Sequence, residues 1–268
     1  MMATSTPAYQ QEILNACSTG AVNQLQELLQ SHDVKQNAAP ILPRDAAQTG
    51  YPSTQAMITA AIANKQAALV NFLLHYFTGY PTEWPQTRRK SQKPITFSPS
   101  LVLAALDNPD IKTLTVLWDY DPSLVNFEFD DHTTILSQAC QRDPDIIGPF
   151  IHFLVSHGAD VQGAGWRLDW NLLPAIRGGQ HVDVMEAMVS KGGAKIQDYA
   201  TVLAALRAKR ADVLQLILDN KGSMRREGRI TDEDVEQLRV EAQDAKSVRL
   251  TELIEELIST WQSPSQRN

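Results

Sequence analysis

Several features that would point directly to a function class are scarce or missing in this 268-residue sequence. Two cysteines, Cys17 and Cys140, are too few for a disulfide framework and match no zinc-ligand spacing. No apolar run approaches the roughly 18 residues of a membrane span, and the N-terminal residues lack the basic and apolar regions of a secretion signal. We therefore expect a cytoplasmic or nuclear protein with reduced thiols and no membrane contact.

Positive charge is also in short supply, with 24 basic residues against 31 acidic residues and a formal net charge of -7. This balance argues against general nucleic-acid binding, which depends on basic side chains that neutralise phosphates. The acidic excess is concentrated near the C-terminal end of the sequence. Residues 231–260 contain nine acidic and three basic residues, a net charge of -6, so the rest of the chain carries only -1.

Catalytic motifs are absent as well: the sequence has no G-x-S-x-G, no P-loop and no G-x-G-x-x-G after a strand. Of the six histidines, only His132 lacks an ordinary structural explanation, because it follows Asp130 and Asp131 at a predicted hairpin tip. A carboxylate beside a histidine can support acid–base chemistry, but no nucleophile or cofactor motif accompanies this one. We expect no catalytic residue, no metal and no cofactor.

The sequence does contain helical periodicity in short, paired segments, and this pattern recurs along the chain. Six copies align on one position that is usually small: Ala16, Ala61, Ala105, Ala139, Ile176 and Ala205. Each copy predicts a helix, a tight turn and a second helix that buries an aliphatic pair such as Leu73-Leu74. Cys17 and Cys140 fall at the same place in their copies, which predicts buried packing. One unit cannot bury both of its apolar faces, so the copies must stack.

The predicted array covers residues 1–222, and a C-terminal helical cap with a short tail covers 223–268. The six repeats are expected near residues 8–32, 53–77, 98–121, 134–157, 171–192 and 199–220, with insertions at 33–52 and 78–97. Helix starts are expected at Thr6 and Ser98, where a capping side chain precedes proline, and at Thr231, where it precedes acidic residues. Thr134 and Asn171 are expected to cap the fourth and fifth copies. The last predicted helix places Leu250, Leu253, Ile254, Leu257, Ile258 and Trp261 on one face, and Trp118 is predicted to be core.

The repeats resemble the ankyrin repeat family. Thr134-Ile-Leu-Ser-Gln-Ala139 stands at the place of the family's T-P-L-H-x-A, and Gln180-His-Val-Asp-Val184 stands at the place of G-H-x-x-V. Gly158-Ala-Asp-Val161 and Gly193-Ala-Lys-Ile196 add to the resemblance, which covers roughly residues 8–222. No copy keeps the full T-P-L-H, and the sixth lacks a recognisable hairpin. The resemblance implies an all-α ankyrin-repeat solenoid of about six stacked helix-turn-helix units with a C-terminal cap.

By the same resemblance, binding residues are expected at the hairpin tips and on the inner face of the first helices, which together form a concave surface. The tip of the fourth hairpin carries Asp130, Asp131 and His132. The fifth hairpin carries two tryptophans with neighbouring side chains, namely Trp166, Arg167, Leu168 and Trp170. Arg142, Arg177 and Arg207 are expected on the inner face. Trp84 lies in the second insertion beside a short basic run.

The sequence therefore predicts a non-catalytic protein–protein interaction module, monomeric, with an unidentified protein partner on its concave hairpin and helix face. Its mechanism is the rigid presentation of hairpin tips and arginines, which limits the entropy lost on binding. The alternative is an ankyrin-fold enzyme or small-molecule binder that uses a groove around Asp131, His132, Arg142, Trp166 and Trp170. Fold alone does not decide between these two functions.

Overall fold

The computed structural model describes residues 8–79, 93–161, 172–193, 199–220 and 231–262. In these ranges the regular structure is α-helical, apart from one short 3-10 helix at Pro122–Asn126 and one isolated β-bridge. No helix in the same ranges has the length and apolar character needed to cross a bilayer. The chain divides into two compact units, residues 1–124 and 125–268.

The first unit is built from consecutive pairs of short helices. Its described residues contain α1 (Ala8–Thr19), α2 (Val22–Ser31), α3 (Pro43–Thr49), α4 (Thr54–Ala63), α5 (Ala67–Tyr76), α6 (Pro99–Asp107) and α7 (Ile111–Tyr120). The first helices of the three pairs, α1, α4 and α6, pack side by side in that order. The second helices, α2, α5 and α7, pack in the same order, so the pairs stack as the repeat pattern predicts.

The second unit repeats this arrangement with four helix pairs. Its described residues contain α8 (Ile135–Ala139), α9 (Pro144–Ser156), α10 (Leu172–Arg177), α11 (Val182–Ser190), α12 (Tyr199–Arg207), α13 (Ala211–Asp219), α14 (Asp232–Asp244) and α15 (Val248–Gln262). The first helices α10, α12 and α14 pack in succession, and so do the second helices α9, α11, α13 and α15. The final pair, α14 and α15, therefore stacks in the same helix order as the repeats before it.

The turn between the two helices of a pair has one recurring hydrogen bond. The backbone N–H five residues after a buried alanine donates to that alanine's carbonyl, at 2.9–3.1 Å from Ala16, Ala61, Ala175 and Ala205. The residue before each donor is left-handed, with φ between 55° and 77°, so each turn is a left-handed helix C-cap. The alignment predicted Ile176 at this alanine position in the fifth copy. The hydrogen bond shows that the position belongs to Ala175. Both residues are apolar and buried, and only the hydrogen bond distinguishes them.

Most of the predicted helix starts and buried faces are confirmed within the described residues. Ser98, Thr134 and Thr231 each accept a hydrogen bond from a backbone N–H in the first turn, and Thr231 forms a capping box with Asp234. The predicted inner face of α15 is buried from Leu250 to Trp261. The predicted caps at positions 6 and 171 lie outside the described residues.

One predicted core residue is not core. Trp118 is half-buried on α7, whereas Leu114 and Leu117 of the same helix are buried. Trp118 directly follows Leu117, and one residue turns the helix by about 100°. The inward face of α7 therefore belongs to the two leucines.

Candidate functional site

Six of the predicted site residues lie in the described part of the second unit: Asp130, Asp131, His132, Arg142, Arg177 and Arg207. The other five lie outside the described residues: Trp84, Trp166, Arg167, Leu168 and Trp170. The six described residues form two groups. One group surrounds the hairpin before α8, and the other lies between α10 and α12.

The hairpin before α8 is closed by backbone hydrogen bonds. Glu128 and Thr134 form an antiparallel bridge, and the N–H of His132 donates to the carbonyl of Phe129 at 2.8 Å. Asp130, Asp131 and His132 are exposed at the tip, while Phe129 is buried beneath it. The backbone of His132 is left-handed, with φ 63°, and its Nδ1 lies 2.9 Å from Oε1 of Glu128. The tip thus presents two acidic residues on a fixed backbone.

A chain of side-chain hydrogen bonds runs from this tip to the end of α8. The Thr133 hydroxyl donates to Oδ1 of Asp131 at 2.6 Å, and Nε2 of Gln138 donates to that hydroxyl at 3.0 Å. Nη1 of Arg142 lies 3.5 Å from the Gln138 side-chain oxygen. These hydrogen bonds connect Asp131 to Arg142, while the His132 ring faces Glu128.

The nucleophilic and titratable groups of the described residues are either buried in the core or open to water. Cys17 and Cys140 are fully buried, as predicted, and burial raises the pKa of each thiol to about 12. A thiol with such a pKa contains almost no thiolate at neutral pH, so neither is an activated nucleophile. The acidic tip with His132 is open to water, whereas electrostatic catalysis depends on a water-excluded site. No group of three His, Cys, Asp or Glu residues suited to a metal ion occurs among the described residues.

Arg177 and Arg207 line a groove of about 430 Å³ beside α12. Ala200, Ala204 and Ala208 recur every four residues along this groove, which places them on one face of the helix. Alanine side chains are short, so they leave an open floor between the larger groups at its edges. Of the residues that line the groove, only the two arginines are charged.

The two arginines differ in their surroundings. Nε of Arg207 donates to Oε1 of Glu241 at 2.9 Å, and this hydrogen bond raises the pKa of Arg207. The hydroxyl of Tyr199 donates to Gln237, so two polar contacts tie α12 to α14. Arg177 is exposed and has no hydrogen-bond or ion-pair partner in the described ranges. Both arginines end their helices, where a cation also offsets the helix dipole.

Gln180 links neighbouring repeats by hydrogen bonds, a role that the sequence did not predict. Its side chain is fully buried, and its Nε2 donates to the carbonyls of Cys140 at 3.0 Å and Arg142 at 2.9 Å in the preceding repeat. In the following repeat, Nη1 of Arg210 donates to the carbonyl of Gln180 at 2.9 Å. These bonds fix the turns after α8, α10 and α12 to one another. They therefore set the spacing between Arg142, Arg177 and Arg207.

The turn also needs Gly178. A β-carbon at this position would lie 1.9 Å from the carbonyl oxygen of Cys140, far inside van der Waals contact. The two repeats can approach this closely only because the side chain is missing. The pair Gly178-Gly179 in the sequence was the signal for a tight turn, but it did not reveal the contact with the preceding repeat.

The first unit contains a separate cavity of about 700 Å³ that the sequence analysis did not predict. It lies along the first insertion, whose residues Ala39-Pro-Ile-Leu-Pro43 favour a proline-broken loop. The structure instead gives this insertion a helix, α3, and fixed ends. The hydroxyl of Tyr76 donates to the carbonyl of Val34 at 2.7 Å, and Ile41 and Thr54 exchange two hydrogen bonds of 2.9 and 3.0 Å. The cavity lining carries acidic and basic side chains together, so it favours no single ligand charge.

Comparison with known proteins adds limited information about this surface. No protein-family model matches the sequence, and no curated protein matches it. Among solved structures, an ankyrin repeat protein from Leishmania major is similar, with a TM-score of 0.44 and 12% identity over 97% of this chain and 100% of that chain. The all-α repeat fold rests on the helix packing described above. The ankyrin family remains a resemblance carried by the sequence motifs.

Proposed function

We propose that this chain is a non-catalytic protein-interaction module whose partner docks on the second unit. The docking face consists of the hairpin tip at Asp130 and Asp131 and the helix ends at Arg142, Arg177 and Arg207. The observation that carries this proposal is the groove beside α12, where the exposed Arg177, which has no counter-ion among the described residues, borders an alanine floor. Such a groove offers both charge-assisted hydrogen bonds and apolar contact to a protein surface.

Rigidity supports the proposal. The ladder from Arg210 through Gln180 to Cys140 holds the helix ends in place before any partner arrives. Preorganised side chains lose less conformational entropy on binding, so more of the contact energy contributes to affinity. Arginine is also among the residues most enriched in interface hot spots.

The fifth hairpin belongs to the same proposal. Trp166, Arg167, Leu168 and Trp170 directly precede α10 in the sequence, and α10 ends at Arg177. Tryptophan and arginine together are typical of interface hot spots. We include these four residues in the proposed docking face, and Trp84 of the second insertion as a peripheral contact.

The test is quantitative affinity capture with charge-reversed full-length chains. The variant Arg177→Glu/Arg207→Glu lowers the net charge by four on the docking face. The matched control, Lys112→Glu/Lys191→Glu, makes the same change at two exposed positions on second helices or their ends. Circular dichroism first establishes that both variants fold.

We expect the arginine variant to lose its partner and the lysine variant to retain it. If both variants retain every partner at unchanged affinity, the docking face is wrong. If both lose it equally, the interaction reflects overall charge, and the proposed site is again rejected.

A further inference from the structure

We propose that the groove beside α12 takes an acidic amphipathic segment of the partner, with carboxylates on Arg177 and Arg207 and small apolar side chains on the alanine floor. This inference rests on the proposed function, because it names the chemistry of the partner for part of the same docking face. It adds a sign of charge and a spacing of groups that the proposed function leaves open.

Local charge is the first argument. The chain carries -7 overall, so the protein as a whole repels an acidic ligand. The groove reverses this sign locally, because the charged side chains in its lining are two arginines and, in the described part of the chain, only Arg207 has an acidic partner, Glu241. Arg177 has no counter-ion among the described residues, so an incoming carboxylate displaces no existing ion pair there. This local positive charge attracts an acidic segment in spite of the overall charge.

Arg207 provides the second argument, because it already binds a carboxylate. Its Nε and Nη2 both donate to Oε1 of Glu241 on the neighbouring helix α14. The guanidinium is thus held in an orientation that suits a carboxylate. Glu241 also competes with any external acid for Arg207. Removing the Glu241 charge should therefore strengthen the binding of an acidic segment.

The third argument is the spacing of the two cations. The turns after α10 and α12 are joined by the bond from Arg210 to Gln180, so Arg177 and Arg207 lie at the same end of neighbouring helices. Packed helices lie about 8–10 Å apart, which matches acidic residues about two turns apart on a helix. The floor from Ala200 to Ala208 is about 12 Å long. A short amphipathic helix with small apolar residues fits this length.

The experiment uses the full-length chain and a phage-displayed library of random 16-residue peptides. We expect selected peptides to be enriched in Asp and Glu, and to lose at least ten-fold in affinity on the Arg177→Ala chain. Arg177→Ala is the preferred variant, because in the described ranges this side chain makes no hydrogen bond or ion pair that its loss would break. The control is Lys191→Ala, an exposed cation at the end of α11, which should leave affinity unchanged.

Glu241→Gln tests whether Arg207 binds a carboxylate of the peptide or only ties α12 to α14. We expect this variant to bind the selected acidic peptides about two- to five-fold more tightly, the size of effect expected for an exposed ion pair. Peptides without acidic enrichment, no selected peptide at all, or equal affinity for wild type and Arg177→Ala each overturn the inference. A weaker Glu241→Gln complex also counts against it.

The outcome is separable from that of the proposed function. If capture from the charge-reversal experiment succeeds but the selected peptides are neutral or basic, the module binds a partner and the acidic segment is wrong. If the chain self-associates and Arg177→Ala abolishes the association, the occupant is the acidic C-terminal region of a second copy. That result would reject a separate partner for this groove.

Discussion

Gln180→Ala tests most directly how much the hydrogen bonds between repeats contribute to stability. The wild-type side chain is fully buried and donates two hydrogen bonds, at 3.0 and 2.9 Å, to carbonyls of the preceding repeat. Each such bond contributes about 1 kcal/mol, and leaving a buried acceptor unpaired costs about 1–3 kcal/mol. The side-chain oxygen of Gln180 is itself buried with no hydrogen-bond partner among the described residues, so its removal returns part of this cost. We expect a net loss of about 1.5–3 kcal/mol.

Gln66 is the matched control, since it occupies the equivalent turn position in the first unit. Its side chain is half-buried, and within the described residues it donates only to the carbonyl of Asn64, two residues away, at 2.9 Å. Because this bond joins no two repeats, Gln66→Ala should cost less than about 1 kcal/mol. The pair of variants therefore separates a bond between repeats from a local one.

Two measurements read out this prediction. Urea unfolding followed by circular dichroism gives the change in stability, and alkylation of Cys140 with mass-spectrometric detection reports local opening. Cys140 is buried beside the Gln180 side chain, so Gln180→Ala should accelerate its alkylation by roughly ten- to a hundred-fold. A Gln180→Ala chain within about 0.5 kcal/mol of wild type would refute the reasoning. So would a Gln66→Ala chain that loses as much stability.

Two further predictions concern the effect of pH and the two tryptophans that precede α10 in the sequence. The hydrogen bond from Arg210 lowers the pKa of Asp212 below its ordinary 3.8, so the stabilisation from ionised Asp212 is present above about pH 4 and is lost as the pH falls through the lowered pKa. Melting temperature should therefore decline more steeply below pH 4 in wild type than in Asp212→Asn, and parallel curves would contradict this. Trp166→Ala/Trp170→Ala should weaken partner binding at least ten-fold in a titration with the captured partner, and unchanged affinity would remove these residues from the docking face.

Local signals in the sequence predicted the all-α repeat architecture, three helix starts and the buried face of the last helix correctly. Ser98, Thr134 and Thr231 cap their helices because a short polar side chain can reach a backbone N–H within the same turn. The buried face of α15 followed from apolar spacing alone. These features depend on residues three or four positions apart, and a single sequence contains that information directly.

Contacts between repeats could not be predicted in the same way. Gln180 bonds to carbonyls 40 and 38 residues earlier, and Arg207 pairs with Glu241, 34 residues later. Nothing near these residues in the sequence identifies their partners. The error at Ile176 has a related cause, since a shift of one residue leaves the apolar pattern intact and changes only which carbonyl caps the turn.

Site-specific photo-crosslinking tests the central claim, that the partner docks beside α12, most directly. A photoreactive amino acid placed at Ala204, on the floor of the groove, should crosslink to the captured partner. The same amino acid at the exposed position Glu186 on the second helix α11 should not. Crosslinking at Glu186 with none at Ala204 would contradict the proposed docking face.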